Sequence, residues 1–142
     1  MKTLLPILLA VCVLTGCATS RTYFTDAKTI GPYSPAVQVG NLLYVSGQIA
    51  MKPGTTELAG DDIETQAKQV LENVRSNLSK AGYEMTDVVQ CTVYLKDMSD
   101  FAKMNQIYST FFVQGRFPTR TTVEVSNLPA KARIEITAVA CK

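Results

Sequence analysis

The feature that most restricts the fold is an apolar repeat of helical period in the middle of the 142-residue chain. Asp61 and Glu64 have the spacing of a capping box at the start of this repeat, and Gly82 supplies a C-terminal stop. Because a helix with one apolar face must bury it, the sequence also has to supply a second layer. Six side chains at spacings of three and four make up that face: Ile63, Ala67, Val70, Leu71, Val74 and Leu78.

Short apolar segments before and after this helix predict the strands of the second layer. Residues 36–39 and 42–46 flank the turn pair Gly40-Asn41, which is the pattern of a β-hairpin. Three further strands are predicted downstream: Val88–Leu95, Arg120–Ser126 and Ala132–Ala140.

A second helix is predicted between the third and fourth strands. Ser99 or Asp100 can cap it. The order β-β-α-β-α-β-β predicts an α+β domain in which two helices cover one face of a mixed β-sheet. The apolar face of the second helix is Phe101, Met104, Tyr108, Phe111 and Phe112, and that of the strand before it is Val89, Cys91, Val93 and Leu95.

The N-terminus has the order of a bacterial lipoprotein signal. Lys2 supplies the positive charge, and residues 4–14 form an apolar run that is too short to span a bilayer as a helix. Residues 14–17, Leu-Thr-Gly-Cys, resemble the lipobox, in which the thiol of Cys17 is acylated. The alternatives are an ordinary signal peptide with an incidental cysteine, or a loose N-terminal helix.

This interpretation divides the chain into a signal peptide at 1–17, a tether at 18–22 and a single domain at 23–142. A lipid on Cys17 would anchor the domain to a membrane of the bacterial cell envelope. Ala18 is not the aspartate that commonly retains lipoproteins in the inner membrane. By analogy, we expect the lipid to anchor the protein in the outer membrane, with the domain facing the periplasm.

The composition argues against several classes of chemistry. The chain has no histidine, so histidine bases and histidine metal sites are absent. Without Lys2, 13 basic residues (14 − 1) balance 12 acidic ones, which gives no electrostatic reason to expect a nucleic acid partner. Cys91 and Cys141 are too isolated for a zinc site, so no metal is predicted. Whether these two thiols form a disulfide depends on their separation in the fold.

Two charged residues lie in the closing strands. Arg120, Thr122 and Glu124 share one face of the first closing strand, and Glu135 lies opposite the core face of the second. We expect Arg120 and Glu135 on the uncovered side of one sheet. They form either a cross-strand ion pair on a solvated face or a ligand site that another subunit covers. The core face of the second closing strand is Ile134, Ile136, Ala138 and Ala140.

Six sequence blocks follow one another from residue 31 onward: GPYSPA at 31–36, YVSGQI at 44–49, QAKQVLEN at 66–73, VYLKDMSDFAKMN at 93–105, FPTRTTVEVSNL at 117–128 and RIEITAVA at 133–140. In their order and compatible spacing, these blocks resemble the RidA family of enamine/imine deaminases. The resemblance implies a chorismate-mutase-like α+β fold, assembled as a homotrimer with active sites in clefts between subunits.

The resemblance also implies roles for particular residues. Arg120 matches the arginine that binds the substrate carboxylate, and Glu135 matches the glutamate that holds the attacking water. Four positions match residues that line the cleft: Tyr33, Ser46, Asn105 and Thr122. Purely structural roles remain open for three of them, since Tyr33 can fill its turn, Ser46 can bond its own strand end and Asn105 can bridge within the second helix.

The implied reaction converts a 2-aminoacrylate-type enamine to its 2-imino acid and then, with water, to a 2-keto acid and ammonia. Orientation of the substrate and one placed carboxylate suffice, so no cofactor is predicted. The expected partners are an imino or enamino acid, two further copies of the chain and a membrane. The alternatives are a non-catalytic lipoprotein that binds small carboxylates and, less favoured by the charge balance, an endoribonuclease.

Overall fold

Six β-strands in one mixed sheet and two α-helices build the domain. The computed structural model describes residues 19–25 and 29–142, and the predicted signal at 1–17 lies outside these ranges. The strands are β1 (Arg21–Phe24), β2 (Ala36–Val39), β3 (Leu42–Ile49), β4 (Val88–Leu95), β5 (Thr119–Glu124) and β6 (Ile134–Cys141). The helices are α1 (Ile63–Lys80) and α2 (Phe101–Ser109).

The C-terminal strand lies inside the sheet, whose order is β1-β2-β3-β6-β4-β5. Neighbouring strands are antiparallel except β4 and β5, which are parallel and are connected through α2. The predicted hairpin is confirmed as β2 and β3, although β3 continues to Ile49. β5 and β6 begin and end within two residues of the predicted positions. The α+β class is confirmed.

The core lies between the helices and one face of the sheet. Every residue of the predicted apolar face of α1 is at most 2% exposed, and so is every residue of the predicted core face of β6. Gly82 follows α1 with φ of +78°, a left-handed conformation that other residues adopt only at a cost, which confirms the predicted stop.

Two predictions along the strands are wrong. Val89 is 46% exposed and Val88 is buried instead, because the pairing of β4 with β6 shifts between Val88 and Gln90. Arg21 and Thr22, expected in the tether, pair with β2 as part of an edge strand. The alternation of side chains along a strand no longer predicts which of them are buried once a β-bulge adds one residue to that strand.

The start of α1 differs from the predicted capping box. The cap is Asp62 and not Asp61: its Oδ1 accepts the backbone N–H of Thr65 at 2.7 Å. Glu64, in the first turn, forms an ion pair with Lys103 of α2 at 3.1 Å. This carboxylate therefore joins the two helices and does not cap α1.

The start of α2 also differs from its prediction. Asp100 precedes the helix, but its carboxylate accepts two hydrogen bonds from the guanidinium of Arg133, both at 2.9 Å, and makes no capping bond. Asp97 caps the preceding 3-10 turn by accepting the N–H of Ser99 at 2.8 Å. Phe101, predicted on the apolar face, is 37% exposed.

Cys91 and Cys141 are free thiols. Cys91 pairs with Ala138 across β4 and β6, and Cys141 lies three residues beyond Ala138. At about 3.3 Å per residue along a strand, their Cα atoms are roughly 10 Å apart, too far for a disulfide. Among residues 19–25 and 29–142, no helix has the length and apolar character needed to cross a membrane.

Candidate functional site

The pairing of β4 with its two neighbours determines which side chains face the helices. Cys91 pairs with Arg120 on β5 and with Ala138 on β6, and directly paired residues point to the same side of a sheet. Since Cys91 and Ala138 are buried beneath the helices, Arg120 also lies on the helix side. Tyr94 pairs with Glu135, so Glu135 points to the opposite side.

The prediction that Arg120 and Glu135 stand on one uncovered face is therefore wrong. Alternation within β5 and within β6 was predicted correctly. The two strands are not neighbours, however, because β4 lies between them and sets their relative register. In a single chain, the two charges cannot form the cross-strand ion pair that was the alternative interpretation.

Three of the predicted site residues lie together around one cavity of about 650 Å³. Tyr33, Ser46 and Glu135 all line it, and Gly47 lies between the last two. We refer to these four residues as the Glu135 group. The cavity is large enough for a small organic acid.

A β-bulge places the backbone of β3 directly against Glu135. The pairing of β3 with β6 shifts between Val45 and Gln48, which leaves Ser46 and Gly47 in the bulge. A Cβ atom added to Gly47 would overlap Oε1 of Glu135 and lie 2.8 Å from its Cδ. Glycine at this position therefore leaves the space that the carboxylate occupies. This role of Gly47 was not predicted from the sequence, although a glycine inside a strand motif is a usable signal.

Ser46 connects the bulge to the loop that precedes β2. Its hydroxyl donates to the carbonyl oxygen of Ser34 at 2.7 Å, and its N–H donates to that of Pro35 at 3.0 Å. These bonds hold the loop that includes Tyr33, whose side chain is 45% exposed. The expected structural role of Ser46 is thus present, but its partners are on the loop and not at its own strand end.

The carboxylate of Glu135 has neither an ion-pair partner nor a hydrogen-bond donor among residues 19–25 and 29–142. Partial burial raises the pKa of Glu135 above its ordinary value of 4.5. A carboxyl group with a raised pKa and free oxygens can hold a water molecule and accept a proton from it.

Arg120 lies over aromatic rings on the other side of the sheet. The guanidinium carbon is 4.6 Å from the ring centroid of Tyr108 and 5.7 Å from that of Phe101, both on α2. Asn105 lies between these two aromatic residues on the same face of the helix, since positions 101, 105 and 108 are four and three residues apart. Thr122 follows on β5, also on the helix side.

The polar atoms near Arg120 have few partners in the described part of the chain. The Oγ1 atom of Thr122 is buried without a hydrogen bond. Neither the guanidinium of Arg120 nor the amide of Asn105 makes a hydrogen bond there. The predicted bridge from Asn105 within α2 is therefore not formed. We refer to Phe101, Asn105, Tyr108, Arg120 and Thr122 as the Arg120 group.

The six predicted ligand-binding and catalytic residues thus divide between two groups on opposite sides of the sheet. The Glu135 group has a cavity and a proton acceptor, whereas the Arg120 group has a free cation and unpaired polar atoms. Across the described ranges, no three His, Cys, Asp or Glu side chains lie close enough to hold a metal ion. Such a chain is an α+β protein whose candidate site residues form two groups within these ranges, one with an unpaired carboxylate beside a cavity and one with an unpaired guanidinium.

Comparisons with known proteins agree with this description. The family model described as endoribonuclease L-PSP matches residues 24–142. A RutC family protein of Pyrococcus horikoshii is 51% identical over 115 residues, which are 81% of this chain and 90% of that protein. The 2-iminobutanoate/2-iminopropanoate deaminase of Escherichia coli is 43% identical over 127 residues, 87% of this chain and 98% of that one.

A solved structure shows the same fold. The crystal structure of E. coli TdcF with bound serine superimposes with a TM-score of 0.77 at 38% identity, covering 82% of this chain and 92% of that one. The chain belongs to the RidA family, whose model has the description endoribonuclease L-PSP.

Because Glu135 is partly buried, the difference in stability between wild type and Glu135→Gln should depend on pH. A pKa raised in the folded state means that folding favours the protonated carboxyl, so wild-type stability falls as pH rises from about 4.5 through the raised value. Glutamine has no charge to desolvate. We expect Glu135→Gln to unfold at higher denaturant concentration than wild type at neutral pH, and the difference to shrink in acid.

Chemical denaturation at both pH values measures this difference. Glu57→Gln is the matched control, because the Glu57 side chain is 74% exposed and lies outside the cavity wall. A Glu135→Gln variant that is less stable than wild type at neutral pH would show that the carboxylate has an attractive partner, contrary to the structure.

Proposed function

We propose that this protein is a hydrolytic deaminase of 2-imino acids and their enamine tautomers, and that it acts as a homotrimer. Each active site consists of the Glu135 group of one subunit and the Arg120 group of the next. The observation that carries the proposal is the separation of the two groups on opposite sides of one sheet. One chain cannot bring them to the same ligand, whereas two copies can.

The symmetry of such a contact favours a closed ring. A contact that joins one surface of a subunit to a different surface of the next is head-to-tail, and it closes into a ring when the rotation allows. Three subunits then have three equivalent sites. The resemblance to the RidA family supports three as the number.

Apolar side chains on the uncovered face of the sheet support the assembly. Tyr23, Tyr44 and Val123 point away from the helices and are 59%, 47% and 38% exposed. Exposed aromatic and β-branched side chains on a sheet face are typical of a surface that another chain covers. Glu135 lies on this same face.

The proposed mechanism uses each group for one task. The planar guanidinium of Arg120 binds the substrate carboxylate through two parallel N–H donors. Glu135 holds a water molecule and takes a proton from it as its oxygen bonds to the imine carbon. Attack on the protonated imine gives a neutral carbinolamine, and Glu135 returns the proton to its nitrogen. The C–N bond then breaks as Glu135 takes the proton of the new hydroxyl, so that ammonia leaves and a 2-keto acid remains. For an enamine, protonation of the terminal carbon precedes attack by water.

The state of Glu135 suits this exchange of protons. A carboxyl whose pKa is raised by burial is a better proton acceptor than one in water, and it returns the proton more easily near neutral pH than a strong base would. The aromatic surroundings of Arg120 leave its donors free for the substrate. No step requires a cofactor.

The 2-iminobutanoate/2-iminopropanoate deaminase among the relatives supports this choice of substrate. The relative with bound serine favours recognition of small carboxylates in general, and so it also fits a second candidate, a protein that binds such acids without converting them. An assay for turnover separates the two candidates.

The central prediction concerns ammonia release from a freshly generated 2-imino acid. Arg120→Lys keeps the charge but loses the planar pair of donors, so most activity should disappear while the protein stays folded and assembled. Glu135→Gln keeps the shape but cannot take a proton, so turnover should fall about 10²–10⁴-fold, with a smaller effect on binding of a 2-keto acid.

Arg116→Lys, a change at an exposed arginine, is the matched control for the charge-conserving substitution. Near-normal turnover in Arg120→Lys would contradict the assignment of the carboxylate clamp. Binding of keto acids without any ammonia release by the wild-type protein would favour the non-catalytic candidate. Degradation of RNA that survives in Arg120→Lys and Glu135→Gln would favour a ribonuclease.

We also propose that a lipid on Cys17 anchors the protein to the bacterial cell envelope. The expected location is the outer membrane, with the domain facing the periplasm. The lipobox-like segment at 14–17 supports this proposal. β1 begins at Arg21, so three residues lie between Cys17 and the sheet, and the four steps from one Cα to the next span at most about 14 Å. A lipid at Cys17 would therefore hold the domain close to the membrane.

The substitution Cys17→Ser tests the anchor. It removes the thiol that would be acylated, so the protein should move from the membrane fraction to the soluble fraction of cells that have a lipoprotein pathway. Cys12→Ser, within the apolar run, should leave fractionation unchanged. An unmodified Cys17 in the wild-type protein, detected by mass spectrometry of the intact chain, would contradict the proposal.

A further inference from the structure

Arg120 differs from Arg133 and Arg75 in that aromatic rings alone support it. Arg133 is held by two hydrogen bonds to the buried carboxylate of Asp100, and Arg75, which also lies over the ring of Phe111, donates to both oxygens of Glu72. Within residues 19–25 and 29–142, Arg120 has no carboxylate partner. Its guanidinium instead lies over the rings of Tyr108 and Phe101.

The spacing of the two rings along α2 explains how they reach one cation. Phe101 and Tyr108 are seven residues apart, which is two helical turns, so both rings lie on the same face. Tyr108 is firmly held, since it is only 4% exposed and its ring centroid is 4.7 Å from that of Phe112. Phe101 is at the more open end of this face and is 37% exposed.

An aromatic support has a chemical advantage over an acidic one at this position. A carboxylate partner would occupy the N–H donors of Arg120 and neutralise its charge, and a substrate carboxylate would then have to displace it. The faces of aromatic rings attract a guanidinium without using its N–H groups. The cation therefore keeps both its orientation and its capacity to bind an anion.

We propose that Tyr108 and Phe101 are positioning residues that hold the guanidinium of Arg120 in the orientation that binds the substrate carboxylate. This inference rests on the proposed role of Arg120 as the carboxylate clamp. For Tyr108, the ring is the part that acts, because the face of the ring contacts the guanidinium of Arg120 and the buried hydroxyl makes no hydrogen bond to it. The hydroxyl should therefore be dispensable.

The test compares Tyr108→Leu with Tyr108→Phe, each in the wild-type and in the Arg120→Ala background. In the full-length protein, the dissociation constant of a 2-keto acid is measured in both backgrounds, and KM and kcat for the 2-imino acid are measured where Arg120 is present. We expect Tyr108→Leu to raise KM and the dissociation constant about tenfold, with a smaller change in kcat. Tyr108→Phe, which keeps the ring, should behave like wild type.

The Arg120→Ala background separates positioning from general damage. If Tyr108 acts through Arg120, then Tyr108→Leu causes no further loss once the arginine is gone. An equal loss in both backgrounds would overturn the inference and indicate a structural role. Phe101→Leu, a change at a partly exposed ring, repeats the comparison with little risk to folding and should weaken keto-acid binding in the same Arg120-dependent manner.

The variants distinguish an error in the aromatic positioning from an error in the proposed function. A large loss in Arg120→Ala with normal binding in Tyr108→Leu and Phe101→Leu overturns the aromatic positioning alone. Full activity in Arg120→Ala overturns both, since an arginine that binds no substrate needs no positioning.

Discussion

Because β6 lies between β3 and β4, the alternation of its side chains determines what stands on each side of the sheet. Ile134 and Ile136 are directed into the helix-covered core, where they are fully buried. Glu135, between them, must then point to the opposite side. A shift of one residue would bury the carboxylate among apolar side chains and expose the isoleucines. The requirement for a dry core thus fixes the position of the acidic group.

In the part of the chain that the structure describes, the two charges proposed to act in catalysis both lack a partner of opposite charge. Glu135 is partly buried in a space that Gly47 leaves open, and Arg120 is supported by aromatic rings. The pair formed by Arg133 and Asp100 shows the alternative, in which opposite charges satisfy each other and serve only the fold. An unpaired charge costs stability but remains available to a ligand.

Much of the fold could be predicted from the sequence, because each element has its own local pattern. The face of α1, the hairpin of β2 and β3 and the core face of β6 all followed from periodicity. The bulge that exposes Val89 could not be predicted in this way, since it depends on pairing with a distant strand. The cap at Asp62 instead of Asp61 is a choice between adjacent residues of the same type.

The candidate site was predictable as a set of residues but not as an arrangement. Arg120 and Glu135 were singled out by the pattern of the closing strands, and the resemblance implied their roles and the residues that line the cleft. Their location on opposite faces depends on the parallel pairing of β4 with β5, a long-range relation that no local pattern encodes. The roles of Gly47 and Tyr108 at the site were not predicted, because each acts through a neighbour, one by its lack of a side chain and the other by its ring.

The measurement that tests the account most directly is the recovery of activity in mixed trimers. Arg120→Ala and Glu135→Ala should each be inactive alone. In trimers assembled from equal amounts of both, about one quarter of the sites would join an intact Glu135 group to an intact Arg120 group, so about one quarter of wild-type deaminase activity should return. Absence of recovery in trimers shown by native mass spectrometry to contain both variants would contradict a site shared between subunits.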